Sequence, residues 1–169
     1  MRLFFALWPD EAVRRQLAGV AEGFELPDGR RVPARNLHLT LVFLGNVEDE
    51  VEACLMEGAA AIRTAPFALD FDQAGSFRGS GVAWLAPGEC PSELLDLVAR
   101  LRDLSARCDI ETEERPYRPH LTIARKLKRR PRRMEPAPIH WQINSFCLVE
   151  STSGETGSEY TVRRAWPLN

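Results

Sequence analysis

Two of the three histidines in this 169-residue chain open the same four-residue pattern, His38-Leu39-Thr40-Leu41 and His120-Leu121-Thr122-Ile123. Both stretches alternate polar and aliphatic residues, the signature of a half-buried β-strand. Side chains two apart on a strand share a face, so His38 stands with Thr40 and His120 with Thr122. Leu39, Leu41, Leu121 and Ile123 turn the other way, to a core. Two such strands facing each other gather two imidazoles and two hydroxyls around one cleft. An imidazole titrates near pH ~6.5, so one ring can hold a proton while the other takes one up. That is equipment for acid–base work on a phosphodiester without a metal. One His-x-Thr is a weak signal that many exposed strands carry. Two copies using two of three histidines are a strong one.

The elements around the two patterns repeat. A strand over Arg2 to Trp8 runs into Pro9, a helical segment over about Asp10 to Ala21, a polar link and the His38 strand. A strand over Val82 to Ala86 runs into Pro87, a helix from Ser92 to Cys108, a polar link and the His120 strand. Pro9 precedes His38 by 29 residues and Pro87 precedes His120 by 33. Leu94, Leu95, Leu97, Val98, Leu101 and Leu104 give the second helix an apolar stripe, with Ser92 placed as its N-cap. A further helix is predicted over Glu48 to Arg63, and strands over Phe67 to Phe71, Ile139 to Ser151 and Tyr160 to Trp166. Two strand–helix–strand units packed about a pseudo-two-fold axis bring equivalent strands face to face. The duplication therefore predicts one bipartite site rather than two.

Composition narrows the classes. The length suits a single domain, 1–169, of two lobes sharing a core. A formal net charge of −2 excludes a general polyelectrolyte binder, so any nucleic-acid contact must come from a local patch. Cys54, Cys90, Cys108 and Cys147 are scattered with no Cys-x-x-Cys pair, and read as small buried residues in a reducing compartment. The apolar run Leu3 to Trp8 is too short for a signal peptide and no transmembrane stretch follows, which predicts a cytoplasmic protein.

The stretches Asn36 to Gly45 (NLHLTLVFLG) and Tyr117 to Arg125 (YRPHLTIAR) resemble the two motifs of the 2H phosphoesterase superfamily. The resemblance is strongest to its bacterial and archaeal branch of RNA 2′,3′-cyclic phosphodiesterases, also called 2′-5′ RNA ligase-like. Arg2 to Leu7, Trp84-Leu85, Leu148 to Ser151 and Trp166 to Leu168 fit the same branch. It implies an α+β fold of two pseudo-symmetric lobes, with antiparallel sheets around a central groove and one motif in each lobe (38–41 and 120–123). It also implies hydrolysis of a 2′,3′-cyclic phosphate to a 2′-phosphomonoester, with His38 as proton donor and His120 as acceptor. The residues alone leave those two roles interchangeable.

Thr40 and Thr122 are then expected to donate hydrogen bonds to the non-bridging oxygens. Arg125 is where the family often carries a phosphate-binding arginine. Strand alternation would turn it away from His120 unless a bulge or strand end falls near Ala124. Seven of the nine residues Arg125 to Arg133 are basic, a solvated loop or an RNA-backbone surface. Phe77 and Trp84 could stack a base, although aromatic residues beside a strand more often serve the core. His140, beside Trp141, reads as structural. No second His, Cys, Asp or Glu stands near either motif at ligand spacing, so neither a metal nor any other cofactor is expected. The expected partner is RNA ending in a cyclic phosphate, tRNA fragments included, bound by a monomer away from membranes. Other readings are 2′-5′ ligation of tRNA halves, a phosphodiesterase for a small cyclic nucleotide, and a non-catalytic RNA-binding module.

Overall fold

A computed structural model describes all 169 residues, Met1–Asn169. Two antiparallel sheets and three helices make up the fold. The first sheet has the order β3 (Leu39–Asn46), β1 (Arg2–Leu7), β8 (Ser145–Gly154), β9 (Gly157–Pro167). The second has the order β2 (Arg30–Arg31), β6 (Leu121–Arg125), β5 (Val82–Pro87), β4 (Phe67–Phe77), β7 (Ile139–Ile143). The motif strands β3 and β6 therefore take matching places, β3 beside β1 and β6 beside β5. Both histidines sit at the entry to their strands, one residue before the first ladder position.

β1 reads as an unbroken apolar run because both of its faces are covered. Leu3, Phe5 and Leu7 join the main core, while Phe4 and Ala6 pack with Cys147 and Val149 on the opposite face. That second cluster, flanked by Trp8 and Tyr160, forms the floor behind His38.

Helix α1 (Glu11–Glu22) starts where the Asp10 carboxylate accepts the Val13 N–H at 2.9 Å, and buries Val13, Leu17 and Ala21 at helical spacing. Although it follows β1 of the first sheet, it packs against β7 of the second. Helix α3 (Ser92–Arg107) follows β5 of the second sheet and packs against β3 of the first. This exchange is why 36 buried residues from both halves form one continuous core. Helix α2 (Asp49–Ala60) lies on α3 and on β9, where the Arg163 guanidinium forks onto the Glu52 carboxylate at 2.6 and 3.1 Å.

Several expectations are corrected. Ser92 is the first helical residue, not the cap. Pro91 caps α3 in extended geometry, its carbonyl accepting the Leu94 N–H at 3.1 Å. Leu95 leaves the stripe and is 46% exposed, because the helix turns that position away from β3. The single strand over Ile139 to Ser151 is two strands in different sheets. Asn144 breaks the ladder there, and its carbonyl accepts the Leu168 N–H at 2.8 Å. The alternation of Ile139, Trp141 and Ile143 breaks at Asn144-Ser145 before the apolar run Phe146 to Val149, and reading one strand across that break passed over it. Cys54 and Cys108 are not separate buried thiols. They form a disulfide between α2 and the end of α3, with Cα atoms 6.0 Å apart, and Cys54 is exposed. A pairing between residues 54 apart depends on how two helices pack, which spacing does not reveal. Cys90 and Cys147 are free thiols. No helix is long and apolar enough to cross a membrane.

Candidate active site

The first motif is built on the one-turn 3-10 helix Ala34–Asn36 that precedes β3. Asn36 is buried, and its side-chain amide donates to the Ser158 carbonyl of β9 at 2.9 Å. Its own carbonyl accepts from His38 Nδ1 at 2.7 Å. A carbonyl can only accept, so Nδ1 carries the hydrogen and Nε2 is the ring's free nitrogen, 3.1 Å from the Thr40 hydroxyl. Around the ring, Trp8 stacks at 5.0 Å with a 9° interplanar angle, Phe4 lies at 5.1 Å and Tyr160 presents its edge at 5.1 Å. This apolar cage strips water from the imidazolium and pulls the His38 pKa down to about 4. The Asn36 carbonyl opposes that fall, and the positive charge of Arg125 adds to it.

The second motif repeats the suspension in other surroundings. His120 Nδ1 donates to the Arg118 carbonyl at 2.9 Å, and the ring meets only the edge of Phe77, at 5.1 Å. Thr122 is half-buried and pairs in register with Trp84 of β5, so both share one face. Phe77 lies on that face as well, 5.5 Å from Trp84, which places both aromatic residues beside the motif rather than in the core. The Trp84 ring fills the space above Gly75, where a Cβ would stand 2.6 Å from it. The buried Trp84 indole N–H finds no acceptor.

Each motif strand carries an extra residue just past its threonine. In β6 the pairing jumps from Thr122 to Ala124, so Ile123 and Ala124 are both buried and Arg125 returns to the Thr122 face. The break in alternation that Arg125 requires is thus present, and its charge is felt by His38 across the groove. In β3 the pairing jumps from Thr40 to Val42, so Leu41 and Val42 are both buried and Phe43 returns to the Thr40 face. Phe43 is 60% exposed there, with its ring 5.9 Å from Phe4. Arg30 of β2 pairs with Arg125 and shares its face, a second cation that the sequence did not single out.

One bond ties the motifs directly. The Tyr117 hydroxyl, from the segment leading into β6, donates to the Thr40 carbonyl of β3 at 2.7 Å. Burial pushes the Tyr117 phenol well above its ordinary pKa, so it stays a donor. β3 and β6 are in contact, Tyr117 bridges them, and the Arg125 charge acts on His38, so the two motif strands lie side by side. His140 stands apart on β7, exposed, with Nδ1 2.7 Å from Asp70. Trp8, Tyr160, Asn36 and Tyr117 escaped the sequence reading. Asn36 and Tyr117 had a signal, since each opens one of the two motif stretches.

Residues 8–155 match the sequence model of the 2′-5′ RNA ligase superfamily. An RNA 2′,3′-cyclic phosphodiesterase of Escherichia coli K12 is 35% identical over 170 residues, covering 99% of this chain and 96% of that protein. A second RNA 2′,3′-cyclic phosphodiesterase, from Thermus thermophilus, is 32% identical, covering 99% of this chain and 90% of the relative. The crystal structure of E. coli LigT complexed with 3′-AMP superimposes with a TM-score of 0.92 at 35% identity, over 99% of this chain and 97% of that one.

Proposed function

The chain belongs to the 2′-5′ RNA ligase superfamily, and we propose that it is an RNA 2′,3′-cyclic phosphodiesterase opening the ring to a 2′-phosphomonoester. The observation that carries this reading is the duplicated suspension of His38 and His120. Each ring gives its Nδ1 hydrogen to the carbonyl two residues upstream, at 2.7 and 2.9 Å, which leaves Nε2 to exchange a proton; the Nε2 of His38 has the Thr40 hydroxyl 3.1 Å away. Ring opening forms one bond from phosphorus to a water oxygen and breaks the bond to the ribose 3′-oxygen. The water loses a proton as the 3′-oxygen gains one, so an acceptor and a donor suffice. His120 is the acceptor and His38 the donor. The Thr40 and Thr122 hydroxyls and the Arg125 guanidinium meet the charge that grows on the non-bridging oxygens.

The free protein holds His38 neutral, with a pKa of about 4. A bound cyclic phosphate sets one negative charge against the ring and favours the imidazolium, so His38 takes up its proton as substrate arrives. One chain supplies both motifs, which supports a monomeric enzyme. Cyclic ends on tRNA fragments fall within its chemistry, and a cytoplasmic location gives access to them. Neither Cys54 nor Cys108 stands on a motif strand, so opening their disulfide in a reducing compartment leaves the groove residues in place.

The deciding experiment offers the protein an oligonucleotide ending in 2′,3′-cyclic phosphate and identifies the product by phosphorus NMR. A 2′-phosphomonoester is expected. A 3′-phosphomonoester, a 2′-5′ linked product or unchanged substrate overturns the reading.

A further inference from the structure

The basic run after β6 is sorted by the fold into occupied and free cations. Asp28 accepts the Lys128 N–H at 2.9 Å, and the Arg129 guanidinium lies on Asp28 and on the Pro27 carbonyl, at 3.5 and 3.1 Å. Arg133 faces Glu135 at 3.6 Å. The side chains of Lys128 and Arg130 enter no ion pair, and neither does Arg78 in the turn between β4 and β5. That turn is clamped to the loop, because the Gly81 carbonyl accepts the Leu127 N–H at 3.0 Å. Gly81 has φ +68°, and a Cβ there would stand 2.6 Å from the Leu127 carbonyl oxygen, so only glycine permits the approach.

Between turn and loop lies a cavity of about 300 Å³, bordered by Phe77, Arg78, Lys128 and Arg130 and by no acidic residue. In a chain of net charge −2 this is a local concentration of cations. Phe77 is shared between the cavity and the site, its ring 5.1 Å from His120 with the Arg118 guanidinium 5.9 Å above it. The cavity thus begins one aromatic ring away from His120. We propose that it holds the phosphodiester and ribose of the nucleotide immediately 5′ to the terminal cyclic-phosphate nucleotide of an RNA strand. This rests on the proposed activity and adds a preference for strands over mononucleotides.

The chemistry of the lining supports a phosphodiester. Guanidinium groups match phosphate oxygens in charge and in fork geometry. Anchoring of the loop by Asp28 sets the cations in place before RNA arrives, which lowers the ordering cost of binding. Phe77 offers an apolar surface for the intervening sugar or base.

The test compares kcat/KM for a trinucleotide ending in 2′,3′-cyclic phosphate with that for the cyclic mononucleotide. The expected ratio in the native protein is roughly ten or more, from one or two charge-assisted hydrogen bonds. In the double variant Arg78→Gln/Arg130→Gln the ratio falls towards one, and in Arg107→Gln, an exposed cation on α3, it stays high. A native ratio near one, a double variant that keeps the ratio, or an equal fall in Arg107→Gln overturns the subsite. If neither substrate turns over, the proposed activity has failed, and binding of a trinucleotide 3′-phosphate decides the subsite alone. The slope of log affinity against log salt should then be shallower in the double variant by about 0.7 per lost phosphate contact. An unchanged slope overturns the proposal.

Discussion

At His38 the imidazole lies flat on Trp8, with Phe4 and Tyr160 closing two further sides. At His120 a single aromatic edge is present and a run of cations begins five residues later. The backbone is alike at both places, from the carbonyl two residues upstream to the extra residue after the threonine. Acid–base chemistry needs two like groups with unlike proton affinities, and a duplicated unit supplies likeness by construction. The difference has to come from what packs around each copy. Here the first copy receives an apolar floor that lowers the His38 pKa, and the Arg125 charge borne by the second copy's strand lowers it further. The fifth position after each histidine repeats the lesson, being the bare aromatic Phe43 in one strand and Arg125 in the other.

Removing either imidazole breaks the pair and has the largest expected effect. His38→Ala and His120→Ala should each lower turnover of a cyclic-phosphate RNA by about 10²- to 10⁴-fold. A variant that keeps more than about a tenth of the rate shows that its histidine moves no proton in the reaction. The two losses become distinguishable with a phosphodiester whose leaving group is nitrophenolate, which departs without a proton. His38→Ala should regain most of its rate on that substrate while His120→Ala stays impaired. The opposite recovery pattern exchanges donor and acceptor.

The contrast at the fifth position gives a smaller effect. Arg125→Ala removes the cation proposed to meet the phosphate, an expected loss of roughly tenfold to a hundredfold in kcat/KM, as for a hydrogen bond to a charged group. Phe43→Ala leaves every proposed catalytic group in place and should cost less than the arginine. Equal losses, measured on the same RNA, would show that the two bulged positions serve one purpose.

The apolar floor sets the third comparison, read as a shift in pH rather than a loss of rate. Whichever way its proton moves, His38 places a limb in the pH profile of kcat/KM at about 4, where the free protein titrates it. Desolvation is the leading cause of that low value, so Trp8→Ala, which admits water to the ring, should move the limb upward towards the ordinary ~6.5. Arg125→Ala moves it the same way, by removing a positive charge that opposes the imidazolium. The corresponding limb in kcat belongs to the substrate complex and should already lie at higher pH in the native protein. A limb that stays at about 4 in Trp8→Ala would sever the link between the cage and the proton.

Much of this asymmetry lay beyond the sequence, for identifiable reasons. The two His-x-Thr patterns, their shared faces and their strand–helix–strand settings follow from alternation and spacing, which are local properties. Trp8 and Tyr160 lie 152 residues apart and meet at His38 only because β9 folds back along β8, beside β1. The bulge at Leu41 left no mark either, since an apolar residue inserted before Val42 and Phe43 changes no pattern, and the one at Ile123 was signalled only by where the family carries its arginine. Strict alternation alone would have aimed Arg125 away from the groove. The basic run was legible as charge, but its division between free and occupied groups depends on Asp28, about a hundred residues upstream.

The smallest expected effect tests whether the two unlike halves are held in register by a single bond. The Tyr117 hydroxyl reaches the Thr40 carbonyl at 2.7 Å and is the one side-chain hydrogen bond running from the segment before β6 to the first motif strand. Tyr117→Phe keeps the ring and its packing and deletes only the donor. A half-buried carbonyl then loses this partner, which should lower stability by about 1 kcal/mol, seen as a lower melting temperature. A looser spacing between the motifs weakens alignment of the phosphate between the two imidazoles, so kcat should fall by a few-fold while the pH limbs stay in place. Were kcat unchanged at the lower melting temperature, Tyr117 would be a packing residue only, and the register of the groove would rest on the shared core between the lobes.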